Sequence, residues 1–212
     1  MSLIFKTDII PKGVAGVWHN TEGDEFFEQE LILFGEEKEE LKTLKARKRS
    51  EWLSSRYLLH LLSERVIRGA CLKDQYGKPY LKDSDYHISI SHSSEYTAVI
   101  AAPVSVGVDI QVIVPKINRI APRFVRDDEF INIPEDEHTH YFHAIWGAKE
   151  SMYKSYGKKE LDFKTHMKVS AFTYVKEGCF FEGEIIKGHY YQKYLLFCKQ
   201  IQNLILVYAL EQ

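Results

Sequence analysis

The chain has 212 residues, 45% of them hydrophobic, with 13 tyrosines and 12 phenylalanines. This is ample material for one large domain or two small ones and excludes the disordered and fibrous classes. A net charge of -2 predicts neither a nucleic-acid partner nor a membrane-surface protein. Cys71, Cys179 and Cys198 are odd in number and lack C-x-x-C spacing. They suggest neither a disulfide framework nor a zinc site, and fit a reducing compartment. The opening MSLIFKTDIIPKG lacks a secretory apolar run. The apolar stretch from Ala98 to Pro115 is interrupted by Pro103, Asp109 and Gln111, which rules out a spanning helix there. The expectation is a soluble, cytoplasmic protein that needs no membrane.

In chain order, residues 36–46 and 50–68 read as helices. Trp52, Leu53, Leu59 and Val66 form the apolar stripe of the second, and Gly69 stands where a helix usually ends. From Lys42 to Arg49 there are five basic residues and no acidic one. This run reads either as a solvated helix face or as a docking surface for an acidic partner, whose grip weakens with salt. Strands follow at 87–91, 97–102 and 106–114, with Pro103 and Ser105 in the turn between the last two. A second helical region runs from about 117 to 157. Its last helix has Glu135, Asp136 and Glu137 before it, Lys149 and Lys154 within it, and Gly157 at its end, a charge order that complements the helix dipole. Residues 167–210 read as an antiparallel meander. Helices followed by strands thus occur twice, without a linker between them.

Three segments carry chemistry. In Gly107-Val108-Asp109-Ile110-Gln111, strand alternation puts Val106, Val108 and Ile110 toward the core and Gly107, Asp109 and Gln111 on the opposite face. A carboxylate inside an apolar strand needs a partner, either a cationic side chain or a metal ion. In Trp146-Gly147-Ala148-Lys149-Glu150-Ser151-Met152-Tyr153-Lys154, the side chains of Trp146, Glu150 and Lys154 lie along one helical ridge. Glu150 and Lys154 alone would make an ordinary surface pair worth about 0.3–0.5 kcal/mol. Asp109 and Glu150 in one cleft would be two hard oxygen ligands, the usual protein share of a Mg²⁺ site on substrate phosphates. The third segment is Tyr76-Gly77-Lys78-Pro79 followed by Ile88-Ser89-Ile90-Ser91-His92-Ser93. The spacing of His138, His140 and His143 matches no H-E-x-x-H pattern, and a place near a helix start accounts for them.

Arg56, then YGKP, ISISHS, GVDIQ and WGAKESMYK occur in the order found in the 4'-phosphopantetheinyl transferases of the surfactin-synthetase-activating type, and the chain resembles that family over about residues 35–160. The resemblance implies an α+β monomer of two similar α/β halves related by a pseudo-twofold axis, here 1–104 and 105–212, with coenzyme A between them. It implies transfer of the phosphopantetheine arm of coenzyme A to a serine of an apo carrier protein, with release of 3',5'-ADP. Residue by residue, Asp109 and Glu150 match the Mg²⁺ carboxylates and Lys154 the lysine at the reacting phosphates. Lys78 and Pro79 match the adenine pocket. Ser91, His92 and Arg56 match groups that hold the coenzyme's phosphates, and Glu129 aligns with an acid sometimes assigned as base. Gln111 stands where many relatives have Glu, so it is expected at the metal through its amide oxygen or through a water. A coenzyme-binding module that has lost transfer activity is the competing reading, and an unrelated scaffold sharing these short motifs is the other.

Overall fold

The computed structural model describes residues 2–131 and 133–212. The chain forms two compact units, Met1–Val104 and Ser105–Gln212, each pairing helices with an antiparallel sheet.

The first unit opens with strands β1 (Leu3–Ile9) and β2 (Gly13–His19), then helices α1 (Asp24–Glu30), α2 (Gly35–Thr43) and α3 (Ala46–Ser63), then strands β3 (Cys71–Lys73), β4 (Pro79–Leu81), β5 (His87–Ser93) and β6 (Tyr96–Ala102). The sheet order is β1-β2-β6-β5-β4-β3. Trp52, Leu53, Leu58 and Leu59 of α3 bury themselves against Trp18, Ile88 and Val99 of that sheet. The initial hairpin was not anticipated, although GVAGVWH is a β-prone run after a Pro-Lys-Gly turn.

Helix α3 stops five residues before its expected end, with Glu64 in the left-handed region at φ 52°. Val66, placed in the apolar stripe, is 87% exposed. The cause is tertiary. Glu37 is wholly buried and accepts Arg68 Nη1 at 2.7 Å, Arg68 Nη2 at 3.0 Å and the Cys71 amide at 3.0 Å. Bringing Arg68 to that carboxylate requires the chain to leave the helix early, because an unpaired buried Glu37 would cost several kcal/mol.

The basic run is partly neutralised. Lys42 pairs with Glu39 at 2.6 Å, Arg47 with Glu51 at 2.6 Å, and Arg49 with Asp24 at 3.3 Å and with Glu28. It offers a partner far less positive charge than its composition suggests.

The second unit runs from β7 (Val106–Val112) through α4 (Ile117–Ile120), three short 3-10 turns and α5 (His138–Tyr156) to β8 (Met167–Val169), β9 (Cys179–Lys187), β10 (Tyr190–Ile201) and β11 (Leu204–Glu211). The expected helical region from 117 to 157 comprises, among the described residues, one turn of α-helix, three 3-10 turns and one long helix. Gly157 caps α5 at φ 70°, as its position suggested. The tail is the expected meander, and the sheet order β7-β11-β10-β9-β8 places the unit's first strand beside its last. Across that sheet, Ala144, Ile145, Ala148 and Met152 of α5 pack with Val207, Ala209, Leu196 and Ile185.

The two sets of β7 side chains lie on opposite faces as expected, and both faces are covered. Val106, Val108 and Ile110 are buried, and Gly107, Asp109 and Gln111 face α5. A side chain at Gly107 would put its Cβ 1.8 Å from the Ser151 carbonyl oxygen and 2.9 Å from the Ser155 nitrogen. Gly147 meets the sheet in the same way, its would-be Cβ 2.6 Å from Val207 Cγ2 and 3.0 Å from the Gln111 amide nitrogen. These two glycines let α5 sit directly on β7 and β11, which brings short polar side chains across the seam into reach. Among the described residues no helix is long and apolar enough to cross a membrane.

Candidate active site

At the β7–α5 seam, Lys154 reaches down from α5 and donates to Asp109 Oδ1 at 2.8 Å and to the Val108 carbonyl at 2.9 Å. Asp109 is 7% exposed, so this cation offsets part of its desolvation. Glu150, one turn before Lys154, is partly buried and has no hydrogen-bond donor to its carboxylate among the described residues. Burial first, and then the Asp109 charge, push its carboxyl up to about 7, against a smaller opposite effect of Lys154. Asp109 and Glu150 are therefore electrostatic neighbours, as the sequence suggested, with Lys154 beside both.

Gln111 does not present itself as an oxygen ligand. Its Nε2 donates to the His143 carbonyl at 3.0 Å, which can only accept, and to Asp109 Oδ2 at 3.2 Å. Its Oε1 then faces His143 Nδ1 at 2.6 Å, so that nitrogen carries the hydrogen. The other ring nitrogen, Nε2, meets the Val114 amide at 3.0 Å and the Val114 carbonyl oxygen at 3.2 Å. The amide orientation follows from the His143 carbonyl. Gln111 thus turns an N–H, not an oxygen, toward Asp109, and the expected amide-oxygen ligation is replaced by donation to the carboxylate. Burial holds the His143 ring below its ordinary pKa, consistent with a neutral imidazole. The sequence pattern offers His143 only as one of three histidines near a helix start. The signal that could have found it is its placement one turn before Gly147, on the helix face that meets β7.

Glu129 has its own set of partners. It is 4% exposed, and its carboxylate accepts Lys149 Nζ at 2.8 Å, the Arg126 amide at 2.8 Å and the Val169 amide at 2.9 Å. Lys149, fully buried, also donates to the Phe124 and Phe163 carbonyls at 2.7 and 3.0 Å, and burial holds its ammonium below the usual range. Against the expectation of a base, each oxygen of Glu129 is engaged by protein donors that tie α5 to the 3-10 turn and to β8. The lysine in W-x-x-K-E belongs to this buried pair.

In the first unit, Arg56 is 3% exposed and packs its guanidinium 4.1 Å from the Trp52 ring centroid. It bonds the Cys71 carbonyl at 3.1 Å and approaches Glu40 at 3.6 Å. His92 Nδ1 lies 3.1 Å from Thr97 Oγ1, which also meets Ser54 Oγ at 2.8 Å. Ser91 and His92 are neighbours on a regularly paired strand, so their side chains point to opposite faces of the sheet. Arg56 and Ser54 are two apart on α3 and also lie on different sides. Lys78 and Pro79, by contrast, line one cavity of about 520 Å³ with Tyr80, Tyr86 and His87.

The donor set fits a hard cation. Burial and the neighbouring Asp109 charge both disfavour the ionised form of Glu150, and a divalent cation at the two carboxylates would offset both. Among the described residues no group of three or more His, Cys, Asp or Glu side chains is arranged to hold a metal, so Asp109 and Glu150 could supply only two ligands. The other positions would fall to water and a bound phosphate.

Comparison with known proteins converges on this unit. Residues 105–198 match the family model described as the 4'-phosphopantetheinyl transferase superfamily. The chain is 36% identical over 88 residues to "4'-phosphopantetheinyl transferase Sfp" of Bacillus subtilis (strain 168), covering 40% of this chain and 39% of that protein. It is 32% identical over 111 residues to "4'-phosphopantetheinyl transferase gsp" of Aneurinibacillus migulanus, covering 51% of this chain and 46% of that protein. The aligned segments thus span less than half the length of these curated relatives.

Proposed function

We propose that this chain, whose residues 105–198 carry a 4'-phosphopantetheinyl transferase superfamily domain, transfers the 4'-phosphopantetheine of coenzyme A to a serine of an apo carrier protein. The observation that carries the proposal is the Asp109–Lys154–Glu150 group at the β7–α5 seam, inside the matched residues. We place the reaction in the cytoplasm, on a monomer, with Mg²⁺ held by Asp109 and Glu150. When bound, that ion supplies positive charge to the pyrophosphate of coenzyme A.

The roles of the chain's own residues follow from their chemistry. A carrier serine oxygen attacks the β-phosphorus of coenzyme A. The new O–P bond forms as the bond to 3',5'-ADP breaks, and the serine proton passes to a carboxylate. Glu150, directly or through a water, is assigned that task. Glu129, already saturated with donors, serves as architecture in this scheme. Lys154 orients Asp109 through its hydrogen bond, and its side-chain nitrogen can share charge with a phosphate oxygen. Gln111, fixed by His143, directs Asp109 from the other side. Lys78 and Pro79 are assigned to the adenine. Arg56, Ser91 and His92 are assigned to the coenzyme's phosphates on the strength of the motif resemblance, with Arg56 needing to turn outward from its present partners.

The test is incubation with coenzyme A, Mg²⁺ and a panel of apo carriers, followed by intact mass. A carrier mass increase of one phosphopantetheine that requires both coenzyme A and Mg²⁺ is expected. Tight coenzyme A binding with every carrier unchanged would overturn transfer and select the binding-module reading.

A further inference from the structure

The second unit holds a feature that the transfer chemistry does not use. Cys179 and Cys198 are direct register partners on the antiparallel strands β9 and β10. Residues so opposed have Cα atoms about 4.5–5.5 Å apart, inside the roughly 4.4–6.8 Å window over which a disulfide closes without moving backbone. Both side chains point to the face of the sheet that packs under α5, since Leu196 and Cys198 alternate into the core with Phe181 opposite. Both are free thiols, and each is within hydrogen-bonding reach of the other.

We propose that Cys179 and Cys198 form a reactive dithiol that closes to a cross-strand disulfide when a peroxide oxidises the protein.

The two sulfurs are not equivalent. Cys198 is completely buried, whereas Cys179 is only partly covered at the first position of β9, just after Gly178 at φ 141°. A reagent from solvent therefore meets Cys179 first. The hydrogen bond from the Cys198 thiol lowers the Cys179 thiol to about 7, while that same bond and burial raise Cys198 well above its usual value. This is the division of labour of an attacking and a resolving thiol. The Cys179 thiolate attacks one peroxide oxygen, the O–O bond breaks, and a sulfenic acid and water result. The Cys198 sulfur then displaces water from the sulfenic sulfur. Two thiols lose two hydrogens in all, and one peroxide is reduced to two waters. Cys71, buried in the first unit with its thiol raised by desolvation, takes no part.

Hydrogen peroxide is added to the purified full chain in small molar excess. After denaturation the free thiols are alkylated, and the digest is mapped by mass. The expected result is a peptide pair joined through Cys179 and Cys198, a parent mass lower by two hydrogens, and Cys71 still alkylated. Loss of the pair should run roughly 10-fold or more faster than loss of Cys71. With Cys198→Ala, a dimedone-type probe should trap sulfenic acid at Cys179, and with Cys179→Ala, Cys198 should stay reduced. The wild-type map needs neither variant to fold. Three alkylatable thiols after peroxide, over-oxidation of Cys179 without a crosslink, or crosslinks that pair other cysteines would each overturn the proposal.

Discussion

Lys154 Nζ lies 2.8 Å from Asp109 Oδ1, joining the C-terminal half of α5 to the middle of β7, while Glu150 sits one turn away under the same negative charge. Lys154 bonds Asp109 directly and lowers the Glu150 carboxyl against the effects of burial and the Asp109 charge. Replacing Lys154 by Met should therefore lower carrier modification by roughly 100-fold or more, with the protein still folded by circular dichroism. Asp109→Asn should do the same. Turnover within a few-fold of wild type in either variant would remove this group from the reaction.

The raised Glu150 carboxyl makes a prediction about stability that needs neither coenzyme nor metal. Its folded pKa of about 7 lies above the unfolded value near 4.5, so between those values the folded state binds more protons than the unfolded one. Stability contributed by this group is therefore full below about pH 4.5 and is lost as pH rises through about 7. Glu150→Gln should match wild type near pH 5 and be more stable near pH 8, by about 1–2 kcal/mol once partial exposure is allowed for. Chelator-treated protein unfolded in denaturant at both pH values checks this. A difference independent of pH would contradict the assignment.

Glu129 and Lys149 should answer to stability measurements first. Glu129→Ala leaves a buried ammonium without its carboxylate and should cost about 3–5 kcal/mol. The double variant Glu129→Leu with Lys149→Met should recover much of that loss, and with it the activity of the refolded protein. A double variant that is stable and inactive would return Glu129 to the chemistry.

His143 is predicted to act through Gln111 on Asp109. Removing the ring as His143→Ala frees the Gln111 amide to rotate, so the Mg²⁺ concentration for half-maximal transfer should rise roughly 10–100-fold. The rate at saturating Mg²⁺ should change much less. A fall in maximal rate with unaltered Mg²⁺ dependence would assign His143 to packing alone.

Gly107→Ala should be among the most damaging small substitutions in the chain, since the added methyl would meet the Ser151 carbonyl oxygen at 1.8 Å. Separating α5 from β7 to admit it should cost about 3 kcal/mol or more and move Asp109 away from Lys154. Denaturant midpoints measure the first effect. Gly35→Ala, where nothing lies within 4 Å, is the control expected to change little.

Local patterns carried a good part of this reading. The period-two runs of the tail, the Pro103–Ser105 turn and the Gly157 cap were legible because alternation and turn chemistry act over a few residues. The ordered motifs pointed to Asp109, Glu150 and Lys154 for the same reason: two short segments hold all three. What lay beyond the one-dimensional pattern was decided by partners distant in the chain. The carboxylate of Glu37 ended α3 early by capturing Arg68, 31 residues away, and helix periodicity contains no record of such a pair. The motif order offers Glu129 as a base, whereas in the fold Lys149 and Val169 occupy its oxygens. Gln111 read as an oxygen donor to a metal until the carbonyl and ring of His143 turned its nitrogen inward. A sequence states which groups can donate and accept; which of those capacities is left for a ligand depends on the neighbours that folding places within 3 Å.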